Sequence, residues 1–227
     1  MNTLQKKENK MNNLQKVGGM AALGAAVTFI IGFALLFALL VPAGYLAADT
    51  DPVQTVAFLV DNQAVLYIWY LIIYVIFGIF LVVLSLALRQ RLQTNAPALA
   101  QIATAFGLIW AGLVIASGMV ANVGIGTVVE LYAQDPALAA TVWTAVHAVV
   151  VGLGGGNEIV GGLWILLVSW AAWQGDALAR GVNGLGLVVG TAGILTTVFP
   201  TFDALGAIFG LGSIVWFIWT GIVMWRG

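Results

Sequence analysis

Glu158 is the one carboxylate inside an apolar run from Ala148 to Trp173. Its setting is Gly152-Leu-Gly-Gly-Gly-Asn157-Glu158-Ile-Val-Gly161-Gly162-Leu-Trp164, so glycines flank it on both sides. A carboxylate in such a run can take a proton, hold a cation or reach water. Protonating an ordinary glutamate at pH 7 costs about 3.7 kcal/mol. Keeping it ionised at the centre of a membrane helix costs about 2.5–3.5 kcal/mol. The two magnitudes leave all three outcomes open. An ionisable group at this depth is a functional-site candidate by default. The plainer reading is a neutral Glu158 hydrogen-bonded to a neighbouring helix.

His147, Glu158 and Ser169 are spaced by eleven. In an unbroken helix that spacing returns a side chain to within about 20° of its starting face. Counting residues in from the ends of each apolar run places Tyr74 (or Tyr70), Ser117, Thr197 (or Thr196) and Ser213 near the depth of Glu158. All are neutral, and every lysine and arginine falls at the opposite end of its run. Glu158 is therefore expected to lack an ion-pair partner in its own chain. The candidate binding set is Glu158, Asn157, His147, Tyr74, Ser117, Thr197 and Ser213. His147 lies near Trp143 and reads as either a structural histidine or a ligand.

The elements that must position these groups are membrane helices. The chain has 227 residues, 62% hydrophobic and 7% charged, with a mean hydropathy of +1.05. Soluble domains carry about 25% charged residues. The apolar runs are too long and too regular for barrel strands. The spacing predicts an all-α polytopic bundle of about six spans, at 17–41, 64–88, 97–121, 150–173, 182–199 and 204–225, after a polar tail over 1–16 that is expected to be mobile. The first run exceeds a signal-peptide core of roughly 7–15 residues, so it is read as a retained helix. Met11-Asn-Asn-Leu-Gln-Lys16 nearly repeats Met1-Asn-Thr-Leu-Gln-Lys6, which marks Met11 as an alternative start.

Two connecting segments, 47–63 and 122–149, are expected outside the spans. Asp51-Pro52 and Asp135-Pro136 read as a helix cap followed by a first-turn proline. Val53, Val56, Phe58 and Leu59 suggest a short interfacial helix. Residues 137–173 as one straight helix would be about 55 Å long, more than the roughly 30 Å of hydrocarbon, so the run must project or bend. Gly152 to Gly156 is where bending costs least. Trp170 and Trp173 are expected at an interface, whereas Trp110 and Trp164 lie deeper and are expected to pack.

With both termini cytoplasmic, all eight lysines and arginines lie inside, and Asp49, Asp51, Asp61, Glu130, Asp135 and Asp203 lie outside. Small residues recur at helical spacing as packing seams. These are Gln101, Thr104, Ala111, Gly118 and Asn122, then Asn183, Gly186, Gly190, Gly193 and Thr197, then Gly206, Gly210, Ser213 and Thr220.

Several chemistries are excluded. There is no cysteine, and one histidine cannot furnish paired haem ligands or a multi-histidine metal centre. No phosphate-binding loop, G-x-S-x-G or H-E-x-x-H occurs. No basic patch suits nucleic acid. No cofactor and no catalytic residue is expected, and an enzyme ranks last among the readings. The expected partners are the lipid bilayer and a cation, proton or small solute, with a homo-oligomer or a membrane protein partner as the alternative.

Gly152-Leu-Gly-Gly-Gly-Asn-Glu158-Ile-Val-Gly-Gly-Leu-Trp164-Ile-Leu-Leu, Gly184-Leu-Gly-Leu-Val-Val-Gly190 and Trp216-x-x-Trp219-x-Gly221-Ile222 resemble an uncharacterised bacterial multi-pass family of the domain-of-unknown-function 4386 type. The resemblance is mainly to residues 137–225. It implies a helical protein of the bacterial inner membrane and carries no activity.

Overall fold

The computed structural model describes residues 3–48, 51–155, 158–199 and 201–226; the side chains of 3–12, 47, 48 and 155 are left aside. The described residues are helical, with turns between. In order they form α1 (Thr3–Leu35), a π-helical turn (Leu36–Leu40), α2 (Tyr45–Ala48), α3 (Pro52–Asp61) and α4 (Gln63–Tyr70). A second π turn (Leu71–Ile76), α5 (Phe77–Leu92), α6 (Pro97–Tyr132) and α7 (Pro136–Val150) follow. A third π turn (Val151–Gly155), α8 (Ile159–Gln174), α9 (Arg180–Val198) and α10 (Asp203–Arg226) complete the chain.

Six helical stretches are long and apolar enough to cross a membrane: Asn13–Leu40, Gln63–Leu92, Pro97–Tyr132, Pro136–Gln174, Arg180–Val198 and Asp203–Arg226. Large apolar side chains on them face outward, among them Val123 at 72% and Val188 at 60% exposure. Such a surface suits lipid, not water.

The helices match or depart from the expected spans at three places. Helix α1 begins at Thr3, so the tail expected to be mobile continues the first span as helix. Helix α6 runs unbroken through Asn122 to Tyr132, 36 residues and about 54 Å. The polar residues after Ala121 weaken its apolar pattern, yet none of them is a helix breaker. The third place is the run over 137–173, expected to project or to bend, with Gly152 to Gly156 the cheapest place for a bend. It is interrupted: α7 ends at Val150, Gly154 is non-helical within the π turn, and α8 starts at Ile159. The eleven-residue stripe therefore does not continue from His147 to Glu158.

The proline-led starts follow the expected chemistry. The Asp51 side chain accepts the Val53 N–H at 2.9 Å, and Asp135 accepts that of Leu138 at 2.9 Å. Each aspartate thus satisfies one of the orphan N–H groups of its helix.

The chain divides into two compact units. The first comprises Met1–Val27, Gly78–Gly112 and Asn157–Gly227; the second comprises Thr28–Phe77 and Leu113–Gly156. The charges divide along the same line. All eight lysines and arginines belong to the first unit, with four acids, whereas the second has five acids and no lysine or arginine.

In the first unit, α8 packs on α9 and α9 on α10. A Cβ built on Gly162 would lie 2.7 Å from the Gly190 oxygen, and one on Gly190 would lie 2.7 Å from the Gly162 oxygen. The backbones touch, as small residues at a membrane helix seam allow. Gly19 and Gly221 bring α1 and α10 together in the same way. At one end, Arg91 Nε donates to the Ala177 oxygen at 2.7 Å.

In the second unit, α3 packs on α7. Val56, Phe58 and Leu59 of α3 and Ala139, Ala140 and Trp143 of α7 share one core. The segment expected to lie in a membrane interface therefore buries most of its apolar face on protein, with Val53 left exposed.

Candidate functional site

In the second unit α7 ends at Val150, in the first unit α8 starts at Ile159, and a backbone group near each of these ends finds a hydroxyl partner within its own unit. A broken membrane helix frees backbone groups that lipid cannot satisfy, so side chains must supply their partners. On the near side, Ser117 Oγ donates to the Val150 oxygen at 2.9 Å. On the far side, the Glu158 N–H donates to Thr196 Oγ1 at 3.3 Å, and Thr196 Oγ1 donates to the Gly193 oxygen at 2.6 Å. Glu158 occupies the N-cap position of α8, and its side chain makes no capping hydrogen bond. A carboxylate at a helix N-terminus gains about 0.3–1 kcal/mol from the helix dipole. That gain is far smaller than the cost of an ion in apolar surroundings. Glu158 is partly buried, and among the described residues it has no ion pair.

One turn further along α8 the first unit closes. Gly161 meets the Trp110 ring, and Gly193 meets Phe209. Trp110 packs against Trp164 at 5.7 Å and against Phe209 at 6.2 Å between ring centroids. Trp164 meets Trp216 at 5.5 Å and Phe217 at 6.3 Å. Trp164, Trp216 and Phe217 are wholly buried. An aromatic cluster thus lies beyond Glu158 in the first unit. Trp110 and Trp164 pack as expected, while Trp170 and Trp173 lie on the surface at 48% exposure each.

Polar atoms are interleaved with the cluster. Ser169 Oγ, Ser213 Oγ, Thr220 Oγ1 and the Nε1 atoms of Trp164 and Trp216 are buried and have no hydrogen-bond partner among the described residues. Gly186 faces both Ser169 Oγ and Trp216 Nε1. Buried polar atoms in native proteins nearly always have partners, so these carry spare hydrogen-bonding capacity.

The expected site residues fall into two groups. Glu158, Thr197 and Ser213 belong to the first unit. Thr197 is exposed, and its neighbour Thr196 makes the contact to Glu158. Depth counting cannot separate adjacent residues; the contact can. Tyr74, Ser117 and His147 belong to the second unit. There Tyr74 stacks on Tyr70 at 5.7 Å, Ser117 is tied to Val150, and His147 stacks on Trp143 at 5.5 Å. Asn157 lies outside the described residues.

No group of three or more histidines, aspartates or glutamates able to hold a metal ion occurs among the described residues. In the first unit, the Glu158 carboxylate at the start of α8 stands beside the Thr196 hydroxyl of α9. No family model, no curated protein and no solved structure matches this chain.

Proposed function

We propose that this chain binds cations and moves them across the bacterial inner membrane, both termini cytoplasmic, with Glu158 taking a proton or one small monovalent cation. The observation that carries the reading is Glu158 itself: a carboxylate at a break in a membrane helix, with no ion pair among the described residues. Discontinuous membrane helices are a recurrent way to build ion sites, because the break frees backbone groups to line them. A lone carboxylate balances one positive charge, whereas a calcium site wants six to eight oxygen ligands. The aromatic cluster beyond Glu158 favours a proton or a small ion over a bulky solute, since any larger passenger must displace packed rings.

The test is flux into vesicles containing the purified protein, driven by a pH gradient with sodium or potassium present. Wild-type protein moves charge, and Glu158→Gln abolishes the movement. Equal flux for both proteins would refute the reading.

A second reading, an accessory subunit packing on a partner, has one observation in its favour. Gly206, the first residue of a G-x-x-x-G pair on α10, is exposed and has nothing within 4 Å of a built Cβ. A stoichiometric companion recovered in mild detergent would support it. Recovery of this chain alone would count against it.

A further inference from the structure

The second unit contains a cavity of about 180 Å³ lined by Tyr45, Phe58, Tyr70, Trp143, Thr55 and His147, with Pro52, Leu59 and Thr144 at its edge. For comparison, a cavity of roughly 150 Å³ admits benzene. Its wall is a run of aromatic rings. Tyr45 meets Phe58 at 5.7 Å and Trp69 at 5.9 Å, edge to face. Trp69 leans on Tyr70 at 5.1 Å, and Trp143 stacks on His147 at 5.5 Å. Three of these residues sit near the two π-helical turns and the kink at Gly154. Tyr45 lies five residues after Leu36–Leu40, Tyr70 immediately before Leu71–Ile76, and His147 four residues before Val151–Gly155. A π turn is rare and occurs frequently at functional sites.

We propose that this cavity binds a small organic cation, a primary or quaternary ammonium with an apolar body no larger than one ring. Two observations choose that class. Aromatic faces attract ammonium groups through the ring quadrupole, and the lining offers tyrosine, phenylalanine and tryptophan together. The unit that holds the cavity carries five acids and no lysine or arginine, so its field draws cations and repels anions. One of the acids, Asp51, directly precedes the lining Pro52. The Thr55 and Thr144 hydroxyls at the cavity each donate to a backbone oxygen four residues earlier. This site is separate in residues from Glu158 and does not depend on the reading of that carboxylate.

Calorimetric titration of the purified full-length protein with choline, and with its neutral isostere 3,3-dimethylbutan-1-ol, tests the proposal. Choline binds saturably and about tenfold tighter than the isostere. Tyr45→Leu weakens choline by about tenfold, while Tyr45→Phe, which keeps the ring, restores binding. Glu158→Gln leaves choline binding unchanged, which separates this site from the other. No saturable choline binding, equal affinity for the isostere, or loss of binding in Glu158→Gln would each overturn it. Thermal unfolding of Tyr45→Leu close to that of wild type establishes that the variant is folded; if it unfolds early, Tyr45→Phe and the isostere comparison carry the same decision.

Discussion

Thr196 Oγ1 accepts the N–H of Glu158 at 3.3 Å, so the first backbone donor after the helix break is held by a hydroxyl of the neighbouring helix α9. The bond fixes where α8 starts, and hence where its carboxylate stands. Thr196→Val removes the hydroxyl and keeps the shape. It should destabilise the protein by about 0.5–1.5 kcal/mol. Thr197→Val, on the exposed side of α9, should stay within about 0.5 kcal/mol of wild type. Thermal unfolding in a defined detergent compares the two.

The α8–α9 seam makes a sharper distinction. Gly162→Ala forces a methyl group against the Gly190 oxygen and the Ile194 nitrogen, which are backbone atoms and cannot rotate away. A cost of about 1–3 kcal/mol is expected. Gly206→Ala meets nothing within 4 Å and replaces a poor helix former, so it should be neutral or stabilising by up to about 1 kcal/mol. Denaturant titration of both variants checks the pair. A neutral Gly162→Ala would mean that the seam is looser than described.

The aromatic cluster predicts a barrier. Trp164 is fully buried and touches Trp110, Trp216 and Phe217. Trp164→Ala removes the shared ring and should cost about 3–5 kcal/mol of stability. In vesicles it should raise passive cation leak above that of wild type. Phe209→Leu, a milder opening of the same layer, provides the second measurement. Unchanged leak in both variants would show that the rings do not form the barrier.

At the far end of the first unit, Arg91 Nε bonds the Ala177 oxygen and its Nη1 reaches Gln15 Oε1 at 3.3 Å. The planar guanidinium serves both partners, and a lysine ammonium cannot reproduce that fork. Arg91→Lys should lower stability by about 1–2 kcal/mol with little change in any flux that depends on Glu158. Thermal unfolding and vesicle flux on one preparation check both parts.

Much of the fold was legible from hydropathy and caps. Six spans, the Asp51-Pro52 and Asp135-Pro136 starts, and the buried Trp110 and Trp164 follow from period and position alone. The departures have specific causes. Asn122 weakens the apolar pattern without breaking the helix, so α6 continues past the end of the expected span. The glycines at 152–156 showed where bending is cheap, but not that α7 and α8 would separate there. Gly206 and Gly210 have seam spacing, yet Gly206 faces outward, because spacing does not say which face meets a neighbour. Thr196 and Thr197 differ by one residue and by one contact. The aromatic cavity was invisible because Tyr45, Tyr70 and Trp143 come from separate segments, and only the fold brings them together. The charge division between the two units is written in the sequence, but it needs the structure to draw the line.

The most direct test of the central claim is infrared difference spectroscopy of the protein in lipid, on addition of sodium or potassium and on change of pH. The account predicts a carboxylic-acid C=O difference band that responds to cation or proton and is absent in Glu158→Gln. A spectrum with no carboxyl band that depends on Glu158, under every cation and pH applied, would contradict it.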